Sequence, residues 1–149
     1  MTAQEQPQIG YWYLWSDEDG ISRQQRCIMT GFTHQSISPP ASPQWQGRRT
    51  SGSMTTMFTV LPPGWIGDWH ENPKPQWIIP LSGRWFVESM DGQRIEMGPG
   101  EISFGADQHT KQRGGRKGHL SGTVGDEPCV LMLVQLDGLH KFSGHCPFM

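Results

Sequence analysis

Three side chains in one short stretch are spaced for chemistry: His70, Asn72 and Gln76, bracketed by Gly64 and Gly83. Residues two apart on an extended chain share a face, so His70 and Asn72 point the same way, and Gln76 rejoins that face after the bend Pro73-Lys74-Pro75. An imidazole titrates near neutral pH and gives or takes a proton with little tuning. It also binds iron, manganese, nickel or zinc, with an amide oxygen as a weaker partner. The three side chains are expected to line one cavity, His70 as the reactive group and Asn72 and Gln76 as substrate-binding groups.

Such a cavity needs a scaffold of strands. Met54 to Leu61 reads as a strand ending at Pro62-Pro63-Gly64, followed by Gln76 to Leu81, Arg84 to Met90, Gln93 to Met97, Glu101 to Phe104 and the apolar run Cys129 to Leu136. Turn dipeptides such as Ser82-Gly83 and Asp91-Gly92 separate them, and no amphipathic helical window intervenes. Upstream, Tyr11 to Trp15 and Ile21 to Thr30 form a predicted hairpin, and Ser36 to Ser53 is an irregular stretch carrying Trp45. The tail from Asp137 to Met149 reads as a loosely structured return. Nineteen glycines and twelve prolines punctuate short apolar segments rich in tryptophan. That rhythm predicts an all-β sandwich or barrel, and 149 residues suffice for one domain with a core of its own.

The frame Gly64-x5-His70-x-Asn72-x3-Gln76-x6-Gly83 resembles the first cupin motif, G-x5-H-x-H-x3,4-E-x6-G, with Asn72 in place of the second His and Gln76 in place of the Glu. Gly98-Pro99-Gly100-Glu101 is similar to the opening of the second cupin motif, which would end at His119 after a lengthened loop, with His109 as its competitor. The resemblance covers about residues 54 to 137, with 1 to 53 as N-terminal strands and loop. It implies a single-domain double-stranded β-helix, or jelly-roll barrel, with a site in its mouth, and a homodimer. It also implies one divalent metal held by His70, Gln76 and His119, or a metal-free polar pocket in which His70 and His119 act as acid and base. Asp107, at the start of the lengthened loop, would orient His119 or contact substrate. Loss of the motif's carboxylate weakens the attraction for a dication. The expected function is therefore acid/base lyase or isomerase work on a small molecule. A metal-dependent dioxygenase and a non-catalytic ligand-binding cupin are the alternatives.

Other residues refine this expectation. Trp45 on its loop and Trp85 beside the motif are candidates for a flat pocket wall, and Arg84, Arg113, Arg116 and Lys117 for gripping a carboxylate or phosphate. Glu88 is a further carboxylate near the motif, while His34, His140 and His145 read as surface or packing residues. Twelve basic against fourteen acidic residues give no electrostatic reason to expect nucleic acid or a membrane as partner. Met1 to Gln8 lacks the pattern of a signal peptide, and no apolar stretch approaches membrane-spanning length. Cys27, Cys129 and Cys146 are odd in number and far apart, so unpaired thiols and a reducing cytoplasm are expected, with Cys129 buried in its apolar run.

Overall fold

The computed structural model describes residues 5–47, 49–138 and 142–148. They form eleven strands and no helix: β1 (Ile9–Ser16), β2 (Ser22–Met29), β3 (Thr33–Gln35), β4 (Gln44–Gln46), β5 (Met54–Leu61), β6 (Gln76–Ser82), β7 (Arg84–Ser89), β8 (Arg94–Met97), β9 (Ser103–Ala106), β10 (His119–Val124) and β11 (Cys129–Leu136). Among the described residues no helix is long and apolar enough to cross a membrane.

Six strands make one sheet in the order β2-β1-β9-β6-β11-β5, and three make a second in the order β10-β7-β8. β1 runs parallel to β9, and the other pairs are antiparallel. Neither sheet closes into a barrel. The first hairpin turns where the Asp17 carboxylate accepts the amides of Asp19 and Ile21. Trp45 has a strand after all: β3 and β4 pair across the stretch expected to be irregular, and Trp45 packs on His34 with ring centroids 5.1 Å apart.

Alternation along β1 gives the large sheet two apolar faces. Trp12 and Leu14 point toward the small sheet and join Leu61, Ile78, Trp85, Val87, Met97, Cys129 and Leu131 in the core between the sheets. Tyr11, Tyr13 and Trp15 point the other way and join Phe104, Ala106 and Leu136. That second face is covered by residues 142–148. Phe148 packs on Phe104 and Trp77 at centroid distances of 4.8 and 5.0 Å, Tyr13 Oη donates to the Ser143 carbonyl, and Gln25 Nε2 donates to that of Gly144.

Two expectations fail here. The tail is a packed segment, and Cys27 on β2 is joined to Cys146 by a disulfide across 119 residues of sequence, leaving Cys129 free and buried among the described residues. No local spacing announces this pair, because it forms only once the tail has crossed back over β1 and β2. The pairing removes the premise from which a reducing compartment was inferred. His140 of the tail, and Met1 to Gln4 at the other end, lie outside the described residues.

Unfolded but unreduced protein is expected to titrate one thiol per chain, and the variant Cys27→Ser with Cys146→Ser to lose about 2–4 kcal/mol of stability through the freed tail. Three titratable thiols before reduction would contradict the pairing.

Candidate functional site

One transverse rung of the large sheet aligns Gln24, Leu14, Gly105, Gln76 and Gln135 on β2, β1, β9, β6 and β11. Gly105 is the gap in that row. A Cβ there would overlap the Asn72 carboxamide, so its absence makes room for Asn72 to reach in from the loop before β6. Asn72 Oδ1 accepts a hydrogen bond from Gln76 Nε2, and Gln76 Oε1 accepts one from Gln135 Nε2 at 3.0 Å. On its other side Asn72 donates twice to Asp107 Oδ1, from its backbone N–H at 2.9 Å and from Nδ2 at 2.8 Å. Asp107 Oδ2 then meets His119 Nδ1 at 2.7 Å. The result is a continuous buried chain, Gln135 to Gln76 to Asn72 to Asp107 to His119, ending on an imidazole.

Asp107 is fully buried and His119 only 4% exposed. His70 lies exposed at the end of this chain, with its ring centroid 4.8 Å from that of His119 and the two backbones forming a reciprocal pair of hydrogen bonds. This close approach depends on Gly118, which has φ of 67° and whose Cβ would overlap the His70 carbonyl. His70 Nδ1 is 2.7 Å from the Asp68 carbonyl oxygen. A carbonyl and an ionised carboxylate only accept hydrogen bonds, so in both neutral rings Nδ1 carries the hydrogen and Nε2 holds the free lone pair. The arrangement presents two imidazole bases, one buried and anchored to a carboxylate, the other exposed.

Of the expected ligand set, His70 and His119 lie side by side and Gln76 is buried nearby. Gln76 accepts a hydrogen bond from Gln135 at its oxygen and donates one to Asn72 from its nitrogen. Among the described residues no three His, Cys, Asp or Glu side chains are grouped to hold a metal ion.

His70, Asn72, Gln76, Asp107 and His119 come together; the remaining candidates do not join them. Asn72 and Gln76 are buried and mutually hydrogen-bonded, positioning Asp107 instead of facing a cavity. Trp85 is 3% exposed in the core between the sheets, although its Nε1 finds no partner there. Lys117 is exposed on the loop between β9 and β10, where Arg113 and Arg116 pair as a tight turn. His109 is exposed on the same loop, at φ of 69°, and lines two surface clefts of about 860 and 560 Å³ that include neither His70 nor His119. Glu88 pairs in register with Leu120, so it lies on the opposite face of the small sheet from His119, whose partner is Ser89.

Sequence reasoning missed the residues that fix the loop. Glu71 Oε1 accepts from the Thr110 amide and hydroxyl at 3.0 and 2.7 Å, the Gly118 amide donates to Thr110 Oγ1, and Ser22 Oγ donates to the Gly118 carbonyl. These partners are 8 to 96 residues apart, and nothing in local spacing reports them.

Burial by itself would raise the Asp107 carboxyl, but the charge and hydrogen bond of His119 and the two donors of Asn72 outweigh it and hold the group below the ordinary aspartate value. Its contribution to stability is therefore complete above the unfolded-state value of about 3.9 and lost as pH falls through the lower folded value. Asp107→Ala strands three buried donors and is expected to cost about 3–5 kcal/mol in urea unfolding at pH 7, a deficit that shrinks as the pH is taken below 3.9 or so, whereas His70→Ala should stay within about 0.5 kcal/mol of wild type. A deficit for Asp107→Ala below about 1 kcal/mol at pH 7 would mean a solvated carboxylate.

No protein-family model matches the chain, and no curated protein matches it. Among solved structures it is similar to protein NMB1881 from Neisseria meningitidis, at 17% identity and a TM-score of 0.45 over 62% of this chain and 84% of that one. A likeness of that extent bears on neither fold nor function.

Proposed function

We propose that the chain is a small cupin-type enzyme in which His119 and His70 transfer protons on a small molecule, with lyase or isomerase chemistry of the dehydratase kind. The observation that carries this reading is the buried Asp107 carboxylate held against Nδ1 of His119, which leaves Nε2 as a base of fixed direction. The two packed sheets and the Gly64 to Gly83 frame support the jelly-roll assignment.

In an elimination, Nε2 of His119 removes a proton from carbon, and the electron pair of that C–H bond forms the new double bond. The bond to a β-hydroxyl breaks as protonated His70 donates its Nε2 proton, so water leaves. Asp107 stabilises the imidazolium formed at His119 without taking the proton itself. Passing the proton from His119 to exposed His70, whose ring centroid lies 4.8 Å away, returns His119 to its neutral form and His70 to its protonated one and so restores the starting state. Arg116 lies over Trp69, the neighbour of His70 in the chain, at 5.2 Å, and a guanidinium there favours a substrate bearing a carboxylate.

Small hydroxy acids and keto acids incubated with the protein in deuterium oxide are expected to include at least one that gains deuterium at carbon, read by proton NMR. His119→Ala should slow that exchange at least about 100-fold. Asp107→Asn, which imposes the wrong tautomer, should slow it by about 100-fold or more. Exchange in no compound, or exchange indifferent to His119→Ala, would overturn the proposal.

A further inference from the structure

Thr110, on the loop between β9 and β10, is bonded to both of the segments that carry the histidine pair. Its amide and its hydroxyl donate to Glu71 Oε1 at 3.0 and 2.7 Å, and Glu71 directly follows His70. The same hydroxyl oxygen accepts the Gly118 amide at 3.0 Å, and Gly118 directly precedes His119. A hydroxyl has one hydrogen to give and lone pairs with which to accept, so a single oxygen closes both contacts. Thr110 is buried, and little water competes for these groups.

The backbone is bent to bring Thr110 there. His109, its neighbour, is the only non-glycine residue with a positive φ among the described residues, at 69°. The residues on either side of it are tied to the stretch that follows His70. Asp107 accepts twice from Asn72, Gln108 Nε2 donates to the Asn72 carbonyl at 2.9 Å, and Thr110 donates twice to Glu71. The Lys111 amide then donates to the Gly20 carbonyl at 2.8 Å. These contacts hold a conformation that a residue with a side chain otherwise avoids, and such outliers gather where groups must be positioned.

We infer that Thr110 is a positioning residue, its hydroxyl clamping the Glu71 and Gly118 segments so that the His70 and His119 rings, with centroids 4.8 Å apart, act on one substrate. The inference rests on the reading of these histidines as acid and base. Asp107 fixes the direction of His119 but does not reach His70, whose Nδ1 is bonded to the Asp68 carbonyl of its own segment. The two segments meet in an isolated backbone bridge between His70 and His119. The Glu71–Thr110–Gly118 contacts add a second tie beside it and stop the segments from pivoting about the first. Groups that share one substrate need this precision, so loss of the tie lowers the rate with both imidazoles intact.

Proton NMR of wild type, Thr110→Val and Thr110→Ser is the test, with circular dichroism to check each fold. Wild type should show a nuclear Overhauser contact between the His70 and His119 rings. Thr110→Val, which keeps the shape and removes the hydroxyl, should lose that contact and exchange its Gly118 amide at least about 10-fold faster, with His119 still protonated on Nδ1 by its bond to Asp107. Deuterium gain at carbon should fall at least about 10-fold in kcat, with KM within about 2-fold of wild type. Thr110→Ser should restore all of these. Glu71→Ala, at a half-buried position, breaks the clamp from its other side and should give the same losses of ring contact and rate. No ring contact in wild type, a contact and rate unmoved by Thr110→Val or by Glu71→Ala, or a serine variant as impaired as the valine one would overturn the inference. Absence of exchange in wild type would instead overturn the acid and base reading, and the ring contact and Gly118 amide, read without substrate, tell the two failures apart.

Discussion

A carboxylate with no exposure to water must be answered by donors, because an unpaired charge in that position would cost several kcal/mol. Asp107 sets this demand at the end of β9, and the surroundings are arranged around it. Asn72 meets it with two donors and can do so only because Gly105 is bare. Gln76 and Gln135 then hold the Asn72 carboxamide in the orientation that keeps its nitrogen toward the carboxylate. What remains of the acceptor capacity of Asp107 falls to His119, so one buried charge fixes both an amide network and the tautomer of an imidazole.

The scaffold and the site divide the labour. The middle of the large sheet is apolar on both faces, packed against the small sheet on one side and against residues 142–148 on the other, with Cys27 and Cys146 bonded across the second contact. The groups of the buried hydrogen-bonded chain sit at strand ends, His119 opening β10, Gln76 opening β6 and Asp107 just past β9. Rigid strands fix these ends while the loops that join them stay open to solvent at His70. Four buried side-chain atoms, Trp15 Nε1, Trp85 Nε1, Ser103 Oγ and Gln24 Oε1, have no partner among the described residues, in contrast to the satisfied chain that ends at His119.

Much of the fold was legible. Met54–Leu61 and Cys129–Leu136 have as observed strands the limits that their apolar composition suggests, and the first hairpin turns where Asp17 to Gly20 indicate. β10 was harder, since His119 to Val124 contains Ser, Gly and Thr and takes its strand character from pairing with β7. The parallel pairing of β1 with β9, the short β3 and β4, and the Cys27 to Cys146 bond depend on contacts between residues distant in sequence, which local pattern does not encode. At the candidate site, the spacing of His70, Asn72 and Gln76 picked out residues that lie close together but misjudged their orientation. The run from 62 to 75 is not a regular strand and forms only isolated bridges, at Ile66 and His70, so His70 ends exposed while Asn72 is buried. Asp107 could be named from its place before the long loop; its burial could not.

The central claim is that an ionised, buried Asp107 fixes His119 with its hydrogen on Nδ1 and its lone pair on Nε2. Long-range proton–nitrogen correlation NMR of nitrogen-labelled protein near pH 8 reads this directly, with Asp107→Asn as the reference. The account requires a His119 ring with a protonated Nδ1 and a bare Nε2 in wild type, and loss of that pattern in the variant. A wild-type His119 with its hydrogen on Nε2 would contradict it.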